Sequence, residues 1–213
     1  GWALRRFTFD SWAQTRAEIG RLQAQLAATF SHGEAPKVPA ALIRRRDQDP
    51  YTRWCWHNRL TSRLRAILQQ DADALVKNSG PLISVVVPAY NTPEKYLREL
   101  LESLQQQLYP RWELCIADDA STQPHVRRML EAAARTDRRI KPIFRTENGH
   151  IARATNSALE VASGEFVALL DHDDLLPHDA LFQIAAAIAR QPTAGYLYTD
   201  EDKIDDTGRR YDP

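Results

Sequence analysis

The sequence has no net charge: 28 Lys and Arg residues balance 28 Asp and Glu over 213 residues, so its overall electrostatics select no partner. It has only two cysteines, Cys55 and Cys115, placed far apart in different kinds of segment, which argues against a disulfide framework and for a reducing compartment. It has no uninterrupted apolar run near the roughly 20 residues that span a bilayer. The opening residues Gly1-Trp2-Ala3-Leu4-Arg5-Arg6 contain no apolar signal core. These absences lead to the expectation of a cytoplasmic protein whose membrane contact, at the inner face, is peripheral. What is present is a 43% share of hydrophobic residues, the material of one ordinary globular domain plus an appendage. Charge is unevenly placed, because residues 1–80 carry 13 Lys/Arg against 7 Asp/Glu and the remainder 15 against 21. The front is therefore basic and the rest acidic.

Composition divides the chain into two regions. In 1–80 the apolar residues Trp12, Ile19, Leu22, Leu26 and Phe30 recur at helical spacing until Ser31-His32-Gly33-Glu34-Ala35-Pro36. A second helical stretch is expected over about Pro50 to Lys77, ended by Asn78-Ser79-Gly80-Pro81. These helices either pack on the domain C-terminal to them or link it to something upstream; the Arg44-Arg45-Arg46 run offers a contact to anionic lipid or a lipid-linked phosphate. From Pro81 onward, 81–213, strands and helices alternate. Strands are expected at Leu82 to Val87, Glu113 to Ala117, Ile140 to Arg145, Phe166 to Leu170 and Gly195 to Thr199, with helices between them. Such alternation with short connections predicts an α/β fold with a mostly parallel sheet covered by helices.

Ligands of such sheets bind beyond the carboxyl ends of the strands. Polar residues gather there: Pro88-Ala89-Tyr90-Asn91 after the first strand, Asp118-Asp119-Ala120-Ser121-Thr122 after the second, Asn148-Gly149-His150 after the third and Asp171-His172-Asp173-Asp174 after the fourth. Some of these have ordinary explanations. Thr92 before Pro93-Glu94 reads as a helix N-cap, as do Ser121 and Thr122, and Asn148-Gly149 alone is a turn signal. The acidic group is different. Phe166 to Leu170 is apolar enough to be expected in the interior, so Asp171, Asp173 and Asp174 would emerge together at its end, facing Asp118-Asp119. Crowded carboxylates repel unless a cation joins them, and their oxygens suit Mg²⁺ or Mn²⁺ completed by water and substrate phosphates.

These segments carry a family resemblance. Ile83-Ser84-Val85-Val86-Val87-Pro88-Ala89-Tyr90-Asn91, Trp112 to Thr122 with its Asp118-Asp119, and Gly164 to Asp174 resemble the inverting glycosyltransferases of family 2, which have the GT-A fold. The likeness covers about residues 81–213. Tyr198-Thr199-Asp200-Glu201-Asp202-Lys203-Ile204-Asp205 further resembles the bacterial branch that builds O-antigen and other surface polysaccharides, hexosyl and rhamnosyl transfer included. The resemblance implies that Pro88, Ala89 and Tyr90 line the nucleotide base and ribose, with Tyr90 against the base. It implies that Asp119 bonds the base edge and that Asn148 and Arg153 lie near the donor's phosphates or sugar. By the same likeness, Asp171 faces ribose or donor sugar and shares the metal with Asp173, the main ligand, while Asp174 is a less certain third; His172 is a spacer.

The implied donor is a UDP-, dTDP- or GDP-linked sugar and the implied acceptor a glycan or lipid-linked glycan. Glycosyl transfer builds positive charge on the sugar and negative charge on the leaving diphosphate, and a divalent ion offsets the latter. The general base of such enzymes lies well downstream of the acidic motif, so it is expected beyond Pro213, and 81–213 reads as a donor-binding part whose acceptor half is missing. An alternative is a catalytically incomplete nucleotide-binding scaffold that docks on a partner glycosyltransferase. A nucleotidyltransferase is disfavoured because the first loop, Pro88-Ala89-Tyr90-Asn91, is not the Gly-rich basic cradle a triphosphate requires. Nucleic acid is not an expected partner, since the α/β part is net acidic and interleaves no aromatic with basic residues.

Overall fold

The computed structural model describes residues 50–212; the amphipathic stretch Ser11 to Phe30 and the Arg44-Arg45-Arg46 run lie outside the described residues. Two compact units are present. One is Ser62–Thr193; the other comprises, among the described residues, 50–61 and 194–212. No helix among the described residues is long and apolar enough to cross a membrane.

The second helical stretch of the sequence is two helices, α1 (Pro50–His57) and α2 (Ser62–Lys77), one in each unit. The break is local chemistry. The Asn58 backbone N–H and side-chain amide both donate to Trp54 O, at 3.0 and 2.8 Å, and the Arg59 guanidinium donates to Trp56 O at 2.5 Å. The Arg59 side chain thus takes a carbonyl that a continuing helix would have used, and the Asn58 amide adds to the last backbone bond at Trp54 O. Helix α2 ends in a Schellman motif: Ser79, at φ +61°, takes the left-handed position, Ser79 N donates to Val76 O at 3.2 Å and Gly80 N to Leu75 O at 2.9 Å. A side chain at Gly80 would lie 2.5 Å from the Tyr109 hydroxyl, which itself donates to Pro81 O at 2.7 Å.

Four parallel strands come next, β1 (Ile83–Ala89), β2 (Trp112–Asp118), β3 (Ile140–Phe144) and β4 (Phe166–Leu169), in the order β3-β2-β1-β4. Helices α3 (Glu94–Gln105), α4 (Pro124–Thr136), α5 (His150–Leu159) and α6 (Ala180–Arg190) connect or succeed them. This is the α/β class expected. All of β1 except the half-buried Pro88, and all of β2, are buried, as strands covered on both faces are. Between α5 and the sheet the core consists of Val86, Cys115, Ala117, Ala154 and Ala158, and the two helix alanines, Ala154 and Ala158, let helix and sheet approach closely. Alternation along β1 places Val85 and Val87 on the opposite face, and α3 buries Leu97, Leu100, Leu101 and Leu104. Cys115 is fully buried, and burial pushes its thiol up to about 11, with the charge of Glu113 adding to the effect. It is a small hydrophobe, inert at neutral pH.

Two expectations need correction. Strand β4 is not interior: among the described residues it pairs only with β1, and Val167 and Leu169 are 47% and 73% exposed. Register sets Leu169 beside Val86, on the α5 face, but α5 covers the sheet nearer β1 and β2. An apolar run with one neighbouring strand shelters only every second residue, and here Phe166 and Ala168 are half-buried. The expected strand at Gly195 to Thr199 is absent as well; 194–202 form no regular element, and Tyr196 and Tyr198 stack on each other at 6.4 Å between ring centroids. In the second unit, β5 (Lys203–Ile204) and β6 (Arg210–Tyr211) form an antiparallel hairpin. Arg210 Nη1 pairs there with Asp202 at 2.7 Å, and the Tyr51 hydroxyl of α1 also donates to Asp202.

Candidate functional site

Strand order reverses between β1 and β4: the chain runs outward through β2 and β3, then crosses back to add β4 on the other side of β1. Such a switch point opens a crevice at the carboxyl ends of the flanking strands. Ala89 and Tyr90 leave β1 on one side of it, and Leu170 and Asp171 leave β4 on the other. Ala89 is buried, Pro88 half-buried, and the Tyr90 ring is 44% exposed. Asp171, Asp173 and Asp174 are all exposed. Their loop is anchored at its start by Leu170 N donating to Val86 O at 3.2 Å and turned by Asp174 N donating to Asp171 O at 3.2 Å. His172 is half-buried; its Nδ1 has no hydrogen-bond partner among the described residues and lies 4.0 Å from Asp173 Oδ1.

The acidic pair after β2 is not gathered with this cluster. Asp118 and Asp119 are 4% and 2% exposed and bonded inward. Asp118 Oδ1 accepts from Ser121 N at 3.0 Å. Asp119 Oδ1 accepts from Arg145 Nε at 2.7 Å, and both its oxygens accept from Gly149 N at 3.0 Å. Arg145 continues to Ser157 Oγ at 2.6 Å on α5. A buried carboxylate requires such partners, and here they tie the ends of β2 and β3 to the start of α5. Among the described residues no group of three or more His, Cys, Asp and Glu side chains is assembled to hold a metal. Two exposed carboxylates on one loop instead suit an ion that keeps water and is completed by phosphate oxygens. Asn148, just before α5, and Arg153, in its first turn, are exposed: Asn148 Oδ1 accepts from His150 N at 3.1 Å, and Arg153 lies 3.7 Å from Glu147.

The expected caps are also redistributed. Thr92 does not cap α3; Pro93 occupies the N-cap position, and Thr92 is buried with Oγ1 unpartnered among the described residues. Nor do Ser121 and Thr122 cap α4. Asn91, from the loop after β1, instead holds the turn ahead of α4, its Oδ1 accepting from Thr122 N at 2.8 Å, Thr122 Oγ1 at 3.2 Å and Gln123 N at 3.2 Å, while Asn91 N donates to Ser121 Oγ at 2.8 Å. Asn91, Ala120 and His150 all have φ between +50° and +60°, so backbone strain collects at this rim, as it does at functional sites.

A sequence model of glycosyl transferase family 2 matches residues 84–212, which include every strand-end segment just described. The chain belongs to this family. It is 52% identical over 134 residues to Uncharacterized protein y4gI of Sinorhizobium fredii (strain NBRC 101917 / NGR234), covering 63% of this chain and 15% of that relative. It is 35% identical over 212 residues to O-antigen biosynthesis protein RfbC of Myxococcus xanthus, covering 98% of this chain and 16% of that relative. The chain thus spans less than a fifth of the length of either. Among solved structures, S. aureus TarS 1-349 is 36% identical over 52% of this chain and 33% of its own, with a TM-score of 0.48.

In this family 2 domain the side chains that sequence reasoning misses are the ones that hold the site's walls. Arg145 is hidden as the last residue of an expected strand; a lone basic residue at a strand end, matched to a buried acid on the next strand, is the signal that could have found it. Glu113 is the other. It is 5% exposed and accepts from Ser84 Oγ at 2.7 Å, Ser163 N at 2.5 Å and Ser163 Oγ at 2.8 Å, and it pairs with Lys141 Nζ at 2.6 Å. Burial acts to raise its pKa, but the Lys141 ammonium and the three donors outweigh burial and hold it at about 2. This cluster fastens the amino ends of β1, β2 and β4, opposite the crevice.

Proposed function

We propose that this chain is the donor-binding part of a glycosyltransferase that moves a sugar, a hexosyl or rhamnosyl unit, from a nucleotide-diphosphate carrier to a glycan or lipid-linked acceptor during bacterial surface-polysaccharide synthesis in the cytoplasm. Family membership supports the reaction class, and similarity to a protein named for O-antigen biosynthesis supports the pathway. The observation that carries the reading is the placement of the exposed Asp171 and Asp173 carboxylates across the β1/β4 switch point from the exposed Tyr90 ring.

In this reading Tyr90 packs on the nucleotide base, with Pro88 and Ala89 forming the wall behind it. Asp173, with Asp171, holds Mg²⁺ or Mn²⁺, whose chemistry when bound is to offset the charge of the leaving diphosphate. Asp171 also orients ribose or donor sugar, and Asn148 and Arg153 approach the phosphates or sugar from the start of α5. Asp119 bonds the base edge, its carboxylate held in place by Arg145 and Gly149. Inversion needs a general base on the face opposite the leaving group, and that group belongs to the acceptor side of the enzyme.

Calorimetric titration of the chain with UDP, dTDP and GDP, each with Mn²⁺, Mg²⁺ or EDTA, tests the assignment. Metal-dependent binding of one nucleotide, lost in Asp173→Ala, is the expected result. A folded chain that binds none of the three overturns it.

A further inference from the structure

The acidic loop is held at its far end by a residue from a distant stretch of the chain. Gln107, two residues past the end of α3, is 9% exposed and turns most of its side-chain hydrogen bonds to the segment after Asp174. Its Nε2 donates to Pro177 O at 2.7 Å and more weakly to Leu176 O at 3.5 Å, while retaining Ser103 O at 3.0 Å. Its Oε1 accepts from Leu181 N at 3.0 Å, one of the free amides in the first turn of α6. That helix has no side-chain cap of its own. The neighbouring backbone joins in, Leu108 N donating to His178 O at 2.8 Å. Helix α2 braces the junction from outside, with Gln69 Nε2 donating to Leu108 O at 3.1 Å and Arg65 Nη1 lying 2.8 Å from His178 Nδ1.

Only Asp174 and Leu175 separate Asp173 from this clamp. The other end of the loop is fixed by β4 through Leu170 and Val86. A carboxylate on a short loop can be no better placed than the loop's two ends, and a metal responds steeply to ligand placement. We propose that Gln107 is a positioning residue for the donor site: by clamping Leu176, Pro177 and Leu181 it sets where Asp173 stands, and so how much a divalent ion adds to nucleotide binding. The inference rests on the proposed donor-site reading. It also gives α2 a task, since that helix secures the clamp.

The test titrates UDP, dTDP and GDP, with Mn²⁺ and with EDTA, into the full 213-residue chain and into Gln107→Met, which keeps the length and loses both hydrogen-bonding atoms. The expected result is that Mn²⁺ raises nucleotide affinity about tenfold less in the variant than in the wild type, while affinity in EDTA stays the same. A general loss of structure would lower both. Gln107→Glu, which keeps an acceptor for Leu181 N but loses the donor to Pro177 O, is expected to fall between. If the wild type binds nucleotide in a Mn²⁺-dependent way and the folded Met variant shows the same gain, the positioning inference is wrong and the donor site stands. If the wild type shows no Mn²⁺-dependent binding of any of the three, both fall. Amide exchange on the wild type decides the matter even where the variant does not fold: coupling is reciprocal, so saturation with Mn²⁺ and nucleotide must slow exchange across 175–181, and unchanged exchange there overturns the inference.

Discussion

Arg145 Nε donates to Asp119 Oδ1 at 2.7 Å, joining the carboxyl ends of β3 and β2 with both side chains largely out of water, at 16% and 3% exposure. The pair is more consequential when broken than when made, because an isolated buried charge keeps its desolvation cost without its partner. Arg145→Ala is therefore expected to destabilise the chain by about 3 kcal/mol or more, read as a lower urea midpoint. Asp119→Asn leaves the amide oxygen to accept from Gly149 N and removes the charge, so it is expected to lose less. Equal losses in the two variants would show that the ion pair is not what holds this corner.

Glu113 makes stability depend on acid. Its folded pKa of about 2 lies below the ordinary value of 4.5, so its contribution is complete above about 4.5 and is lost as pH falls towards 2. With allowance for the partly exposed Lys141, the contribution is on the order of 2 kcal/mol. Glu113→Gln should flatten the decline in melting temperature between pH 5 and pH 2. A decline as steep as that of the wild type would count against this assignment.

Gly164 has no room for a side chain. A Cβ there would lie 2.6 Å from Leu82 O and 2.8 Å from Ser84 N, both backbone atoms, and 2.7 Å from Ser84 Oγ, which receives the Gly164 N–H at 2.8 Å. Gly164→Ala is expected to cost about 1–3 kcal/mol through displaced backbone. The check is chemical denaturation, where an unchanged midpoint would mean that β4 shifts freely against β1.

Tyr90 offers a base only its face. Tyr90→Ala is expected to weaken nucleotide binding by about 1 kcal/mol, roughly fivefold, and Tyr90→Phe to leave it near wild type. Since the ring is 44% exposed, the melting temperature should scarcely move in either variant. Comparable nucleotide affinity in the Ala variant would remove Tyr90 from the site.

Leu169 is the most exposed large apolar residue described, and it stands on an edge strand. Leu169→Lys is expected to change folding stability by no more than about 0.5 kcal/mol and to raise solubility, since charge on an edge blocks strand-to-strand association. A marked loss of stability on denaturation would reveal cover over this face that the exposure does not show.

How much of this can be read from residues alone depends on the range of the interaction. β1 and β2 carry apolar, β-branched runs, and α3 carries Leu97, Leu100, Leu101 and Leu104 at helical spacing, so local pattern locates them to within two residues. The strand-end loops are equally legible, because polar residues abruptly succeed apolar ones. Burial of β4 is not, because hydrophobicity reports what a strand would accept, whereas its exposure depends on how many neighbours it has. The second half of the site's architecture is invisible for a similar reason. Asn91 holding the turn before α4, Arg145 pairing with Asp119 and Gln107 clamping the acidic loop act across gaps of roughly 25 to 75 residues, and no periodicity or spacing rule connects side chains that far apart.

The left-handed conformations of Asn91, Ala120 and His150 bear on how such a chain can be altered. An alanine held at φ +60° sacrifices about 1 kcal/mol that glycine would recover. Selection for heat resistance alone should therefore find Ala120→Gly readily, and it should find it on the very rim where donor binding is proposed. Relief of the left-handed strain comes with a looser folded backbone, a trade of rigidity for thermal tolerance, so laboratory evolution of this domain would do well to score binding and melting together rather than in succession.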